Sequence, residues 1–489
     1  MAEGSAPVVD SGPAVAAFAV AGATSEPASL TWGQRAIWQA IRRTAPGDQY
    51  FNMTRVLSLA GRGRPVDVEG VTAALGLLME RHQALRTRLV AEEPEPRQVR
   101  HTSGMLAVEV FHSTLVEDCG LAADALAERL GADRFDYFHA WPLRAGLIVH
   151  AGRVTHVALA LCHVATDGHG LEVLVRDLRL LIRRGSAGRP VTSGPLDLAH
   201  EQASPLGLRR GGAALAHWET HYRRIAPTVF AEPVIVAGGR GANAACGDGA
   251  EAAEPRFRTV RLVSTALARA ADAVALAHRI SPSAVLLAGA ATLTARAGGH
   301  DTAVVLPIVA NRFRADSRDL VSTLSQEGLF VLDLDREATF TESLPAAWQA
   351  ALRSYRSAGY DPDRWNDLMA RIADERGTPI KPFCCFNDMR LVDRPPAPGP
   401  PPSAADLDAA RADSRVEPAG GHEFIACRYC MHVVGAGDAL SVTVTGDTAY
   451  LPVTALEAHL LALEDLVVRA ATDRELPIGA LSGFVERVG

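Results

Sequence analysis

The sequence predicts an α/β fold in two lobes, and three observations carry that expectation. Helical and strand patterns alternate along the chain. Its 489 residues, 48% of them hydrophobic, exceed what one ordinary domain uses for a single core. An apolar strand pattern, Val157 to Cys162, passes through a short turn into an amphipathic helix.

Strands are expected near 52–60, 143–150, 154–162, 303–309, 328–334, 424–434 and 440–446, where apolar and β-branched residues run or alternate. Apolar spacings of three and four predict helices at 69–82, 122–131, 170–184, 265–277, 282–296, 342–356 and 454–471. In the third of these, Leu171, Leu174, Val175, Leu178, Leu181 and Ile182 form one face. Three stretches break the pattern. Residues 1–26 are rich in Ala, Gly, Ser and Pro without periodicity, which predicts a mobile tail. Gly238 to Pro255 is Gly/Ala-rich and lies near the middle, where a connection between lobes would sit. Residues 394–418 include the proline run from Pro395 to Pro402, which fits neither helix nor ladder and predicts an exposed insertion. The expected division is an N-terminal lobe at 27–203 and a C-terminal lobe at 212–489.

Composition narrows the function classes. With 49 basic and 56 acidic residues the formal charge is -7, so no overall basic signal for nucleic acid exists. The cations are almost all arginine, Lys381 being the sole lysine. Seven cysteines without a regular framework predict reduced thiols and a cytoplasmic location. No Lys or Arg precedes Arg35, so the apolar patch at 14–23 lacks the flank of a signal peptide and is too short to span a membrane. Cys427 and Cys430, with His432 and the pair Cys384-Cys385, invite a zinc reading. If Ile425, Cys427, Tyr429, Met431 and Val433 alternate as one strand face, Cys427 and Cys430 point to opposite faces and cannot share a tetrahedral ion. No metal is expected.

The chemistry-bearing segment is His163-Val164-Ala165-Thr166-Asp167-Gly168. It places a histidine at the exit of a buried strand, with an Asp-Gly turn before the next helix. Strand and helix together can hold an imidazole rigidly at a cleft, where it would serve as a base. His169 is a second titratable group, expected to face solvent at the helix start. Arg176, Arg179 and Arg183 form a basic stripe on that helix, and Arg209-Arg210 a further cluster, on which an acidic partner could dock.

The order of several further segments carries a resemblance. Thr31-Trp32-Gly33-Gln34-Arg35-Ala36-Ile37-Trp38 is followed by Arg81-His82-Gln83-Ala84-Leu85-Arg86-Thr87. Next come Phe135-Asp136 and Pro142-Leu143-Arg144-Ala145, then Cys162-His163 through Gly168. Pro307 to Arg312, Gly328-Leu329-Phe330-Val331 and Phe386-Asn387-Asp388 complete the series. In this order they resemble the condensation domains of nonribosomal peptide synthetases, within the wider chloramphenicol acetyltransferase-like superfamily. The resemblance spans roughly residues 28–475. Two positions depart from the family pattern. Cys162 stands where the family's first histidine stands, and Gly170 where it usually has a hydroxyl residue.

The resemblance implies two lobes, each like a chloramphenicol acetyltransferase subunit, in a V-shaped pseudo-dimer crossed by a tunnel. It implies catalysis by His163, with Cys162 pointing inward, Gly168 completing the motif and Asp167 paired to Arg312. His169 and Asn387 would lie in the tunnel or cleft. The donor would be an acyl thioester on the phosphopantetheine arm of an acyl or peptidyl carrier protein, the acceptor an amine or hydroxyl. No carrier or adenylating segment is legible, so a free-standing, monomeric enzyme of natural-product biosynthesis is expected. Two other readings stand beside it. One is an acyltransferase drawing on CoA. The other is a degenerate scaffold that brings a partner enzyme to a carrier, which the Cys162 and Gly170 departures keep open.

Overall fold

The computed structural model describes residues 9–10, 12–59, 65–231, 255–390, 401–423 and 425–481. They divide into two units. The first is Met1–Arg210 with Ala310–Gln326, and the second is Gly211–Val309 with Glu327–Gly489. The division falls inside helix α6 (Pro205–Tyr222), not at 238–255, most of which lies outside the described residues.

The first unit contains a six-stranded sheet. Its strands are β1 (Val9–Asp10), β2 (Ala14–Ala19), β3 (Met53–Ser58), β6 (Ser103–His112), β7 (Leu143–His150) and β8 (Arg153–Leu161). The hydrogen-bonded order is β1-β6-β7-β8-β3, with β2 also on β6, while β4 (Thr87–Val90) and β5 (Arg97–Arg100) form a separate ribbon. Strand β8 shows why the sheet is covered on both faces. Val157, Leu159 and Leu161 pack with α2 (Val68–Arg81) and α4 (Gly168–Arg184). Ala158 and Ala160, pointing the other way, pack with α3 (Cys119–Ala132). The run from Val157 to Leu161, apolar at every position, is what two covered faces require.

The first correction concerns the tail. Residues 14–19 form β2, in register from Ala14 opposite Val108 to Ala19 opposite Ser103, with Ala16 and Phe18 buried. Small residues permit this: a Cβ on Gly76 of α2 would fall 2.2 Å from the Ala17 carbonyl oxygen. Ala and Gly let strand and helix backbones meet closely there.

The motifs noted in the sequence hold this unit together. Thr31 caps α1 (Trp32–Thr44) in a reciprocal capping box with Gln34. Arg144 reaches the carbonyls of Leu130, Asp133 and Arg134 while its guanidinium covers the Phe135 ring at 4.0 Å. Asp177, fully buried on α4, accepts from Arg81 Nε at 2.7 Å and Arg176 Nε at 2.9 Å, and its Oδ2 shares a 3.0 Å hydrogen bond with His82 Nε2. Burial opposes ionisation of Asp177, but the hydrogen bonds from His82, Arg81 and Arg176 outweigh it and hold the carboxyl at about 2. Asp177→Asn leaves the Arg81 and Arg176 guanidinium groups facing a neutral amide. It is expected to lower unfolding stability by roughly 3–5 kcal/mol at neutral pH, the range for a broken buried pair. Denaturant unfolding checks this. The gap between wild type and variant should narrow as pH falls from about 4 to about 2, because Asp177 binds its proton in the unfolded chain first.

The second unit contains an eight-stranded mixed sheet. Its strands are β9 (Phe257–Ser264), β10 (Thr302–Val309), β11 (Gln326–Glu327), β12 (Phe330–Asp333), β13 (Cys384–Asp388), β14 (Arg415–His422), β15 (Tyr429–Ala436) and β16 (Ala439–Asp447). The order is β11-β10-β13-β15-β16-β9-β14, with β12 also on β10. The core is closed by α7 (Thr265–His278), α8 (Pro282–Gly298), α9 (Phe340–Arg356) and α12 (Val453–Ala471). No single helix among the described residues is long and apolar enough to cross a membrane.

Two further corrections fall here. The expected insertion at 394–418 is structured from residue 403 on. Ser403 and Asp406 form a capping box for α11 (Ala404–Ala412), whose Leu407 is fully buried, and β14 then pairs with β9. Residues 391–400, with most of the prolines, lie outside the described residues. The C-terminal lobe is also not continuous, since Ala310–Gln326 belongs to the first unit. The reason is electrostatic: this segment carries Arg312, whose buried charge is neutralised there.

Candidate functional site

Strand β8 ends at Leu161 and the chain turns at once, Ala165 N donating to the Cys162 carbonyl at 3.0 Å. His163 occupies that turn. Its carbonyl accepts a hydrogen bond from Thr323 Oγ1, so a residue 160 positions away holds the backbone of the turn. Thr323 is seated in turn against α1, where a Cβ on Gly33 would lie 2.2 Å from its carbonyl oxygen. Neither Thr323 nor the role of Gly33 is legible in the sequence, because both depend on contacts distant along the chain.

The His163 ring is partly buried, and its Nδ1 is enclosed without a hydrogen-bond partner. Burial pulls its pKa below the ordinary histidine value; the neighbouring backbone and the Asp167 charge pull the other way but do not win. The ring is therefore neutral at neutral pH, the state in which imidazole accepts a proton.

Asp167 is not the partner of His163. Its Oδ1 caps α4 by accepting from Gly170 N at 2.9 Å. Its Oδ2 accepts from Arg312 Nη1 at 2.7 Å, Leu324 N at 3.0 Å, Ser325 N at 3.1 Å and Ser325 Oγ at 2.9 Å. Both side chains are buried, 1% exposed for Asp167 and 4% for Arg312, so this is an interior ion pair. Burial opposes the charge on Asp167, yet Arg312 and the backbone N–H donors hold its pKa below the usual carboxylate value. Arg312 also donates to the carbonyls of Ala310, Leu320 and Ser322, which knits the 310–326 segment around it.

Gly168 opens α4 on the surface, and a Cβ built there meets nothing within 4 Å. Its backbone is bare to an approaching group. Gly170 differs: a Cβ would stand 2.2 Å from Oγ1 of the buried Thr166, so here the threonine fills the space a side chain would take. Cys162 is buried among Trp38, Phe135, Tyr137 and Val164, and burial pushes its thiol up to about 12. It behaves as a small apolar group, unfit for thiolate chemistry. Beneath the turn, Cys162, Val164 and Ala165 line a small pocket with Gln34, Leu89 and Phe135.

His169 does not simply face solvent. It is half-buried, and its Nε2 is 2.9 Å from the Arg318 carbonyl, a bond that occupies the nitrogen. Asn387 lies on β13 of the second unit, opposite His432 of β15. The basic stripe is partly spent within the protein: Arg176 pairs with Asp177 and Asp319, and Arg210 with Glu201.

The cysteine segment departs from the expected alternation. Strand β15 begins only at Tyr429, so alternation does not extend back to Cys427. The segment bends there instead, Arg428 N and Tyr429 N both donating to the Phe383 carbonyl at 3.0 Å. Among the described residues, no group of three or more His, Cys, Asp or Glu is arranged to hold a metal ion.

The fold is thus a two-unit α/β chain with a neutral histidine on a turn and a buried aspartate–arginine pair beside it. The condensation-domain family model matches residues 25–377, and the chain belongs to that family. It is 30% identical over 309 residues to phosphinothricin tripeptide synthetase PhsC of Streptomyces viridochromogenes, covering 60% of this chain and 26% of that one. The chain thus spans about a quarter of the length of this relative. In fold it is similar to the condensation domain of the monacolin K polyketide synthase MokA, with a TM-score of 0.70, 15% identity and coverage of 94% and 100% of the two chains. It is also similar to the X-domain from teicoplanin biosynthesis, with a TM-score of 0.66, 18% identity and coverage of 95% and 99%.

Proposed function

We propose that this chain is a condensation enzyme acting in the cytoplasm as a monomer. It joins an acyl or aminoacyl thioester, presented on the phosphopantetheine arm of a carrier protein, to an amine or hydroxyl acceptor. The observation that carries the reading is the His163 turn, where a neutral imidazole is held by its backbone while its side chain stays uncommitted. Membership of a family that works on carrier-bound thioesters supports it.

In this reading Nε2 of His163 accepts the proton of the acceptor as its lone pair attacks the thioester carbonyl, an assistance typically worth ~10²–10⁴-fold. Negative charge builds on the carbonyl oxygen, and the backbone at Gly168, where a side chain would meet nothing within 4 Å, is the donor this reading assigns to it. Asp167 and Arg312 keep turn, helix and the 310–326 segment in register and touch no reactant.

The test is product formation by the purified chain from an acyl-carrier donor and an amine, against the same acyl group on CoA. Turnover with the carrier donor supports the proposal, and turnover with CoA alone replaces it with the CoA reading. Carrier binding without turnover from either donor leaves the scaffold. The pH profile gives a separate check. Because burial lowers the His163 pKa, kcat/KM should rise with pH along an acid limb lying below the ordinary value of about 6.5. A profile flat through that range would remove imidazole from the rate.

A further inference from the structure

Two arginines of the first unit are almost wholly buried, and one of them lacks a counter-charge. Arg312 meets Asp167. Arg86, 5% exposed, ends the short turn Gln83–Arg86 ahead of β4 and makes one side-chain hydrogen bond, from Nη1 to the His101 carbonyl at 2.8 Å. Its Nε is enclosed without a partner, and no carboxylate among the described residues forms an ion pair with it. A guanidinium keeps its proton in a protein, so burial leaves Arg86 with an uncompensated charge. Burial and the charge of Arg100 both pull its pKa down, and Glu80 does not make up the difference.

The ribbon of β4 and β5 gathers further positive charge at the same place. His101 N donates to the Arg86 carbonyl at 2.9 Å, and beyond that pair Thr87 stands opposite Arg100 and Arg88 opposite Val99. Thr87 and Leu89 turn inward to the pocket beneath the His163 turn, so by alternation Arg86 and Arg88 share the other face. The Arg88 guanidinium lies over the Trp141 ring, 3.5 Å from its centroid, and the His101 ring meets the same indole edge-on at 5.5 Å. Stacking occupies the flat face of a guanidinium and leaves its N–H edge to donate, yet Arg88 Nε is also enclosed without a partner. Among the described residues the side chains of Arg88 and Arg100 make no hydrogen bond or ion pair. The acidic groups nearby are engaged elsewhere. Glu80 Oε1 accepts from Ala19 N at 3.0 Å, and Asp136 Oδ1 accepts from Phe138 N and His139 N at 3.0 Å. His101 adds no charge, because burial and Arg88 hold its pKa below the ordinary histidine value.

We propose that Arg86, Arg88 and Arg100 form a binding site for a phosphate group, either inorganic phosphate or the phosphate monoester of CoA. A tetrahedral oxyanion offers several acceptor oxygens, which suit forked donors arriving from different directions. Its charge of about -1.5 to -2 at pH 7 offsets most of the local excess, where a carboxylate would offset one unit. The site does not depend on the condensation reading, because none of its three arginines belongs to the His163 turn.

The experiment titrates the full chain, prepared in chloride buffer, with inorganic phosphate at constant ionic strength, and reads calorimetric binding and the thermal midpoint. Saturable binding is expected, with a midpoint that climbs with the logarithm of phosphate concentration above Kd, as mass action requires of a ligand for the folded state. Arg88→Gln and Arg100→Gln should each weaken phosphate binding about 10–100-fold, the worth of one charge-assisted hydrogen bond. Arg86→Met should abolish binding yet melt no lower than wild type in chloride, because it removes a buried charge that had no partner. Should that variant fail to fold, the two half-buried arginines still decide. CoA separates the two sources. Displacement of phosphate by CoA but not by dephospho-CoA assigns the site to the monoester, and indifference to both assigns it to the free ion. A chain that responds to phosphate no more than to chloride at equal ionic strength would overturn the proposal. So would wild-type phosphate affinity in both Arg88→Gln and Arg100→Gln.

Discussion

His163→Ala is expected to yield a folded protein whose rate of product formation has fallen by ~10²–10⁴-fold, the usual span for loss of general-base assistance. The fold should survive because nothing structural depends on the ring. The turn is held by backbone bonds, Ala165 N to the Cys162 carbonyl and Thr323 Oγ1 to the His163 carbonyl, and alanine preserves both. Nδ1 has no partner to lose. The thermal midpoint should therefore stay within a few degrees of wild type, corresponding to less than ~1 kcal/mol. The loss should appear in kcat, with KM little changed, because proton acceptance matters in the transition state and not in ground-state binding. Equal turnover by the purified variant would take His163 out of the mechanism.

Asp167→Ala should behave in the opposite manner, failing first as a structure. The substitution leaves the Arg312 guanidinium, 4% exposed, without its counter-charge. It also strips acceptors from Leu324 N, Ser325 N, Ser325 Oγ and the helix-capping bond to Gly170 N. Breaking one side of a buried pair costs about 3–5 kcal/mol, and loss of an N-cap about 0.5–2 kcal/mol more. Against a total stability of about 5–15 kcal/mol, soluble yield should drop sharply. The Arg312→Met, Asp167→Leu double variant should recover only the part that comes from the uncompensated charge, since leucine still gives Leu324 N, Ser325 N and Gly170 N no acceptor. A single Asp167→Ala chain melting like wild type would show that the pair contributes no stability.

These two substitutions separate what residues of one short motif do. Six consecutive positions carry the proposed base and the buried carboxylate, and the chain assigns their duties by direction. His163 lies in the turn, where its backbone is held and its ring is not. Asp167, at the helix start, has both oxygens committed. Sequence spacing makes them look like a dyad; the hydrogen bonds show that they are not one.

Helix α4 and strand β8 were open to reading because each pattern has a local cause. Leu171, Leu174, Val175, Leu178 and Leu181 recur at helical spacing, and Val157 to Leu161 are apolar on both faces. The edge strand β2 is hidden for the converse reason. Six residues of mainly alanine resemble a tail, and only the shelter of β6 and α2 makes them a strand. The proline-rich region misleads in a related way: proline marks where regular structure stops, but not how soon Ser403 restarts it. At Cys427 the alternation of side chains extends past the true start of β15, because the bend at Phe383 leaves no period to read.

By itself the sequence determined the α/β class, the strand–turn–helix that presents His163, and the ordered motifs that lead to the condensation-domain family. Those properties rest on residue type and short-range spacing, which the chain carries openly. Tertiary structure alone decided that Ala310–Gln326 joins the first unit, that Thr323 holds the histidine turn and that Arg428 and Tyr429 bend onto the Phe383 carbonyl. Each joins residues tens to more than a hundred positions apart, and a buried charge or a donor finds its partner only once the chain has folded around it.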